Sequence, residues 1–187
     1  MDCYLDVVVR EDPEVNGHQI MATLFTKLHK ALVLRARGDI AVSFPEHDPA
    51  VPTLGPRLRV HATERALSEL MAGQWLSGML DHVDVGRLSS VPSQAQYRAV
   101  RRVQAKSNPE RLRRRLAKRH TLTAEEARGR IPDSAANLLR HPFLQLRSVS
   151  TGEAFRLFVH HGSLVSAPVT GPFGSYGLSP TATVPWF

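Results

Sequence analysis

The first half of the chain changes its hydrophobic period several times, and each change marks an element. Residues 4–10 carry three consecutive valines and read as a strand rich in β-branched side chains, ended by Asp12 and Pro13. From Gln19 to Arg35 the apolar positions Ile20, Leu24, Leu28, Ala31 and Leu32 recur at helical spacing. Ile40 to Phe44 forms a short strand stopped by Pro45, and residues 46–56, with Pro49, Pro52, Gly55 and Pro56, form a loop. Arg57 to Ala62 is a further strand. Thr63 caps a helix that runs to about Met71, a tight region follows around Trp75, and Val83 to Val85 closes a fourth strand. The order β-α-β-β-α-β is the ferredoxin-like arrangement, which RNA-recognition modules also use. That fold hosts many functions, and its central strands here carry no aromatic stacking signature. Gly86 to Gln96, with Pro92 and several serines, reads as a linker.

The second half has a different character. Tyr97 to Ala105 reads as a strand, and Asn108 to His120 as a helix with Asn108 at its N-cap and Pro109 in its first turn. The run Thr123-Ala-Glu-Glu126 is a capping-box start for another helix. Strands are expected at Phe143 to Arg147, Phe155 to His160 and Tyr176 to Leu178, with no internal repeat along the chain. The fold class is α+β: a ferredoxin-like domain over residues 1–94, then a C-terminal α/β domain over residues 95–187 that carries the helix at about 108–120.

Composition narrows the function classes. The chain has 187 residues, 42% of them hydrophobic, enough to fold around a core. A single cysteine, Cys3, excludes an internal disulfide and a thiolate metal cluster. The N-terminus has no secretory pattern and no run reaches the length of a membrane span, so a cytoplasmic protein with no membrane partner is expected. The net charge of +7 favours a polyanionic partner.

The location of that charge says more than its sum. Half of the 24 basic residues lie between Arg98 and Arg130, opposed by only Glu110, Glu125 and Glu126. At 100° per residue, Arg111, Arg114, Arg115, Lys118 and Arg119 fall within an arc of roughly 140° on the 108–120 helix, with Leu112 and Leu116 on the adjoining stripe. Like charges at i,i+4 destabilise a helix unless something neutralises them. A merely solvated face carries interleaved acids, which this one lacks, so the stripe points to phosphate. The prevalence of arginine suits bidentate phosphate contact. The opposite face has too few bulky apolar residues for a membrane-lying helix. Just upstream, Arg102 and Gln104 lie two apart on a strand and so project from one face. Arginine pairs with guanine and glutamine with adenine. Alone the pair reads as two polar residues on an edge strand; beside the basic helix it points to base reading.

Candidates for chemistry are fewer. His160 and His161 are adjacent on a strand and point to opposite faces. Neither a His-x-x-x-His pattern with a carboxylate nor an acidic cluster is present, so no metal and no cofactor are expected. RNA cleavage without metal uses the 2′-hydroxyl of RNA as nucleophile and needs a base, for which the His29 imidazole is suited near neutral pH. Taken alone, His29 reads as an ordinary histidine of a helix surface, and Ser148, Ser150 and Thr151 as hydroxyls that satisfy a turn.

The segment from Arg102 to Leu116, RVQAKSNPERLRRRL, resembles the signature of the CRISPR repeat-processing endoribonucleases of the I-F subtype. The likeness extends to Phe25-Thr-Lys-Leu-His29, Val42-Ser-Phe-Pro45, Leu146 to Gly152, Phe155 to Phe158, Tyr176-Gly-Leu178 and Val184 to Phe187, almost the whole chain. The resemblance implies metal-independent cleavage of CRISPR precursor RNA at the 3′ base of the repeat hairpin, leaving a cyclic phosphate and a 5′-hydroxyl. It further implies retention of the product hairpin and membership of a multisubunit CRISPR surveillance complex. By position, His29 matches the catalytic histidine, Ser148 a serine that positions the 2′-hydroxyl, and Tyr176 a tyrosine that helps to orient the histidine. Arg102 and Gln104 match readers of a guanine and an adenine low in the stem, and Phe155 an aromatic stacked at its base. Arg111, Arg114, Arg115, Lys118, Arg119 and His120 fall on the helix that contacts RNA, and Ser150 and Thr151 near the scissile phosphate. Lys118 departs from a position where arginine can stand, which keeps the charge but loses the fork. Residues 46–56 and 163–174 match least and receive no role. From the residues alone, a non-catalytic module that binds an RNA hairpin remains the alternative.

Overall fold

The helix expected from Gln19 to Arg35 is α1, Gly17–Arg35. It begins two residues early because Asn16 caps it: the Asn16 side chain accepts the His18 amide at 2.9 Å. It stops at Ala36, which takes a left-handed φ of 51°. Ile20, Met21, Leu24, Phe25, Leu28 and Leu32 are all buried, more of the circumference than one stripe explains. The reason is that α1 packs against two sheets, touching a strand of each. In this computed structural model residues 1–48, 50–104, 109–131, 141–148 and 152–187 are described, with only the backbone for 109–111.

The first sheet contains β1 (Cys3–Val9), β2 (Ala41–Ser43), β3 (Arg57–Ala62) and β4 (Val83–Val85), with α2 (Glu64–Ala72) between β3 and β4. Its order is β2-β3-β1-β4, antiparallel throughout, which is the expected ferredoxin-like order. The expected linker contains a short strand, β5 (Ser89–Ser90). Because β4 pairs only Val7–Val9, the start of β1 is left with an open edge, and the two serines fill it opposite Tyr4 and Cys3.

The second sheet contains β6 (Gln96–Val103), β7 (Phe143–Arg147), β8 (Ala154–His161) and β9 (Thr183–Trp186). Its order, β7-β8-β6-β9, repeats that of the first sheet strand for strand. Between β6 and β7 the chain forms α3 (Pro109–His120) and α4 (Ala124–Arg130). The Thr123 capping box is present: Thr123 Oγ1 accepts the Glu126 amide, and the Glu126 carboxylate accepts the Thr123 amide at 2.8 Å. Two expectations are corrected. Tyr176–Leu178 is a turn, not a strand, with Gly177 at φ 67°. The last strand is instead Thr183–Trp186, hidden from pattern reading by Pro185. The proline is tolerated because β9 is an edge strand, paired only with β6.

The chain divides into two compact units, residues 1–103 with 141–187 and residues 104–140. The first holds both sheets and α1; the expected boundary at 94/95 falls between the sheets. Val100, Leu144, Leu146, Leu157, Val159 and Val184 of the second sheet join the same buried cluster as α1 and the first sheet. Among the described residues no helix is long and apolar enough to cross a membrane.

One buried ion pair stitches the ends of the chain together. Arg59, 8% exposed, donates to both Asp6 oxygens at 2.7 and 2.9 Å and lies against both the Tyr4 and the Phe187 rings. Burial alone raises the Asp6 pKa, but hydrogen bonds from Arg59 and Arg57 outweigh it and the net shift is downward. His61 is fully buried against Ser43, and burial pushes its pKa down to about 3. Asp6→Asn is therefore expected to cost about 3–5 kcal/mol in urea unfolding, by leaving a buried guanidinium unpaired. Wild-type stability should decline first as pH falls below about 6.5, where the unfolded chain takes up a proton that folded His61 refuses. A second decline is expected below about 4, as Asp6 protonates.

Candidate active site

His29 lies on α1 one turn after Phe25, so both side chains leave the helix on the same face. The His29 ring stacks on Tyr176, with centroids 4.1 Å apart and planes 5° from parallel. Tyr176 is also parallel to buried Phe25, at 6.2 Å. His29 Nδ1 lies 2.8 Å from the carbonyl oxygen of Ser175. A carbonyl only accepts, so Nδ1 carries the proton and donates it. In the neutral ring Nε2 then holds the lone pair, and it has no hydrogen-bond partner among the described residues. An imidazole fixed in this tautomer, with one face covered and Nε2 unengaged, is built to take a proton.

Arg102 reaches the same place from β6. Its guanidinium lies 5.4 Å from the Tyr176 ring centroid and 5.7 Å from that of Phe155 on β8. Both rings hold the cation by their faces; among the described residues it has no carboxylate partner. The structure thus brings together His29, Tyr176, Arg102 and Phe155. Ser148 follows directly on β7, the strand that packs on α1, and is partly buried. Its amide donates to Glu153 O at 2.8 Å and its carbonyl accepts the Gly152 amide at 2.9 Å, so two backbone bonds hold it. Gln104 is not beside Arg102 on a strand: the β6 ladder to β8 ends at Val103, paired with Phe158, and strand alternation no longer sets the direction of Gln104. Ser150 and Thr151 lie outside the described residues.

In the 104–140 unit, Arg114, Arg115, Lys118, Arg119 and His120 of α3 are exposed, and among the described residues none forms an ion pair. The expected docking stripe is partly redirected. Leu112 and Leu116 are half-buried, while Arg113 on the other side is 8% exposed and donates to Ile131 O at 2.8 Å. Arg113 and Ala117 face α4 across a groove, where Ala127 is fully buried. The side chain of Arg111 and the expected N-cap Asn108 lie outside the described residues.

Two participants escaped sequence reading. Phe25 had a signal, its i,i+4 spacing to His29. Ser175 had none, because it acts through its backbone. The adjacent histidines of β8 do point to opposite sides: His160 meets His141, while His161 stacks on His47 at 3.6 Å and touches Trp186. Among the described residues no group of three or more histidine, cysteine or acidic side chains is placed to hold a metal ion.

Comparison with known proteins gives a consistent result. A family model described as "CRISPR-associated protein (Cas_Csy4)" matches residues 4–187. A protein of Pseudomonas aeruginosa (strain UCBPP-PA14) named "CRISPR-associated endonuclease Cas6/Csy4" is 53% identical over 187 residues, all of both chains. A protein of the same name from Escherichia coli (strain UTI89 / UPEC) is 46% identical, again over the full length of both.

The stacked histidines on β8 and the 46–56 loop permit a check of the local electrostatics. Burial, then the nearby His47 and Arg98, push the His161 pKa down to about 3. Its ring proton resonances should stay flat from about pH 8 to pH 4 in an NMR titration, where an unperturbed histidine titrates near 6.5. A midpoint above 5 would contradict the packing described.

Proposed function

The chain belongs to the Csy4 family of CRISPR-associated proteins, and we propose that it is the endoribonuclease that cuts CRISPR precursor RNA at the 3′ base of each repeat hairpin. The names of the two full-length relatives support endonuclease activity. The observation that carries the mechanism is the His29 imidazole, held by a carbonyl at Nδ1, beside a guanidinium held by aromatic rings; among the described residues Nε2 is unengaged and the guanidinium has no other partner.

In this reading His29 Nε2 takes the proton of a ribose 2′-hydroxyl that Ser148 positions. The 2′-oxygen attacks the neighbouring phosphorus, the bond to the 5′-oxygen breaks, the leaving oxygen takes a proton from water, and the products are a 2′,3′-cyclic phosphate and a 5′-hydroxyl. The attacking group comes from the RNA itself, so no metal-bound water is needed as nucleophile. Arg102 leaves its aromatic cradle to pair with a guanine, Gln104 reads an adenine, and Phe155 stacks at the base of the stem. The exposed cations of α3 take the phosphates, with Ser150 and Thr151 near the cut. Such contacts keep the cleaved hairpin bound and make the protein a subunit of a multisubunit CRISPR surveillance complex. The deep major groove of long A-form RNA excludes side chains, and a short stem leaves it open at its ends.

Incubated with its own repeat hairpin and a chelator, the purified protein should release a shorter RNA. His29→Ala, or a 2′-deoxy sugar at the cut, should stop the reaction; cleavage surviving either change removes this mechanism. A protein that binds the hairpin and never cuts it is the non-catalytic module instead. Arg115→Ala should weaken binding across sequences and flatten its salt dependence. Arg102→Ala should cost about 1–3 kcal/mol and blunt discrimination at one guanine. Equal affinity for a long duplex would contradict hairpin recognition.

A further inference from the structure

The carbonyl that orients His29 belongs to a turn with an unusual support. Within residues 174–178, Gly177 N–H donates to Gly174 O at 2.8 Å and Gly174 N–H to Leu178 O at 2.9 Å. Three backbone bonds pin this turn from outside. Phe173 N–H donates to Gly38 O at 3.1 Å, Val42 N–H of β2 to Gly177 O at 2.9 Å, and Ser179 N–H to Val100 O of β6 at 3.1 Å. The turn is thereby tied to both sheets, and the Ser175 carbonyl and the Tyr176 ring are presented to α1 from a fixed frame.

Gly177 is where that frame tolerates no side chain. Its φ of 67° is left-handed, and a Cβ there would stand 2.9 Å from Val42 Cγ1 and 3.3 Å from the Val42 nitrogen. The close approach is what lets Val42 N–H reach Gly177 O.

We infer that Gly177 is a positioning residue for His29: by letting the 174–178 turn lie directly on β2, it places the Ser175 carbonyl where it holds His29 with Nδ1 protonated and Nε2 as the base. The inference rests on the nuclease reading above for its consequence in rate, but not for the tautomer, which is a property of the free protein. A side chain at 177 lifts the turn off β2, moves the carbonyl and the Tyr176 ring together, and releases the imidazole. Phosphate and base contacts are made elsewhere, so the defect falls on the chemical step.

The first test needs no RNA. In wild-type protein labelled with nitrogen-15 at histidine, at about pH 8.5 where an ordinary imidazole is neutral, His29 should show the Nδ1–H tautomer. An Nε2–H form overturns the inference. In Gly177→Ala the same signals should move to a mixture of tautomers. Single-turnover cleavage should slow about 100-fold, the loss expected when a reacting group is displaced by about 1 Å. Affinity for the hairpin with a 2′-deoxy sugar at the cut should stay at the wild-type value. Adding Val42→Ala removes the two methyl groups nearest the new Cβ and should restore part of the rate and of the tautomer. A Gly177→Ala protein that cleaves at the wild-type rate overturns the proposal, as does one in which rate and affinity fall together with the tautomer unchanged. Should His29→Ala cleave like wild type, it is the nuclease reading that fails, and the tautomer spectrum still decides the role of Gly177.

Discussion

Everything at the candidate site depends on α1 being buried on two sides. A helix that faces one sheet needs a single apolar stripe; α1 buries Ile20, Leu24 and Leu28 together with Met21, Phe25 and Leu32. Burial of these six side chains is worth about 9–18 kcal/mol, comparable to the net stability of a whole domain, before chain entropy opposes it. It makes α1 the common wall of both sheets. A polar residue on that wall has little freedom, and His29 sits where the apolar surface ends. Packing therefore sets where its backbone stands, and the Tyr176 ring and the Ser175 carbonyl then orient its imidazole.

Two kinds of positive charge are kept apart in this chain. Those that build the fold are paired: Arg59 and Arg57 with Asp6, Arg35 with Asp39 and Glu69, Arg10 with Asp84. The exposed cations of α3 and the guanidinium of Arg102 have no carboxylate partner among the described residues. An unpaired guanidinium in water is inexpensive, but a row of them on one helix repels itself. Among the described residues Arg102 is held by ring faces alone, an interaction worth about 0.5–2 kcal/mol. Among the described residues, the printed carboxylate partners of arginine belong to the unit that holds both sheets, and the exposed cations of α3 have none.

The repeated strand order has a physical reading of its own. In both sheets the first strand lies between the third and the fourth, so both of its pairings join distant parts of the chain. In the second, the first helical connection has become the separate unit of α3 and α4. Its central strand then carries Arg102 to the end of the sheet nearest the histidine, while β8 brings Phe155 alongside.

Much of this was legible along the chain. Local rules of period and capping place the elements of the first sheet and the starts of α2 and α4, because each depends on neighbours a few residues away. The density of arginine on α3 is likewise a local fact. What the sequence could not disclose depends on partners far along the chain. The second ferredoxin-like order left no repeat in the residues, since strand order is a matter of pairing and unlike sequences can share it. The strand Thr183–Trp186 is not legible in the residues, because only the completed sheet shows that β9 is an edge, where Pro185 is tolerated. Tyr176 read as a strand residue, yet it belongs to a turn whose shape comes from Gly177 against Val42. The histidine could be named from sequence; its tautomer could not, because the proton on Nδ1 is dictated by a backbone carbonyl 146 residues away.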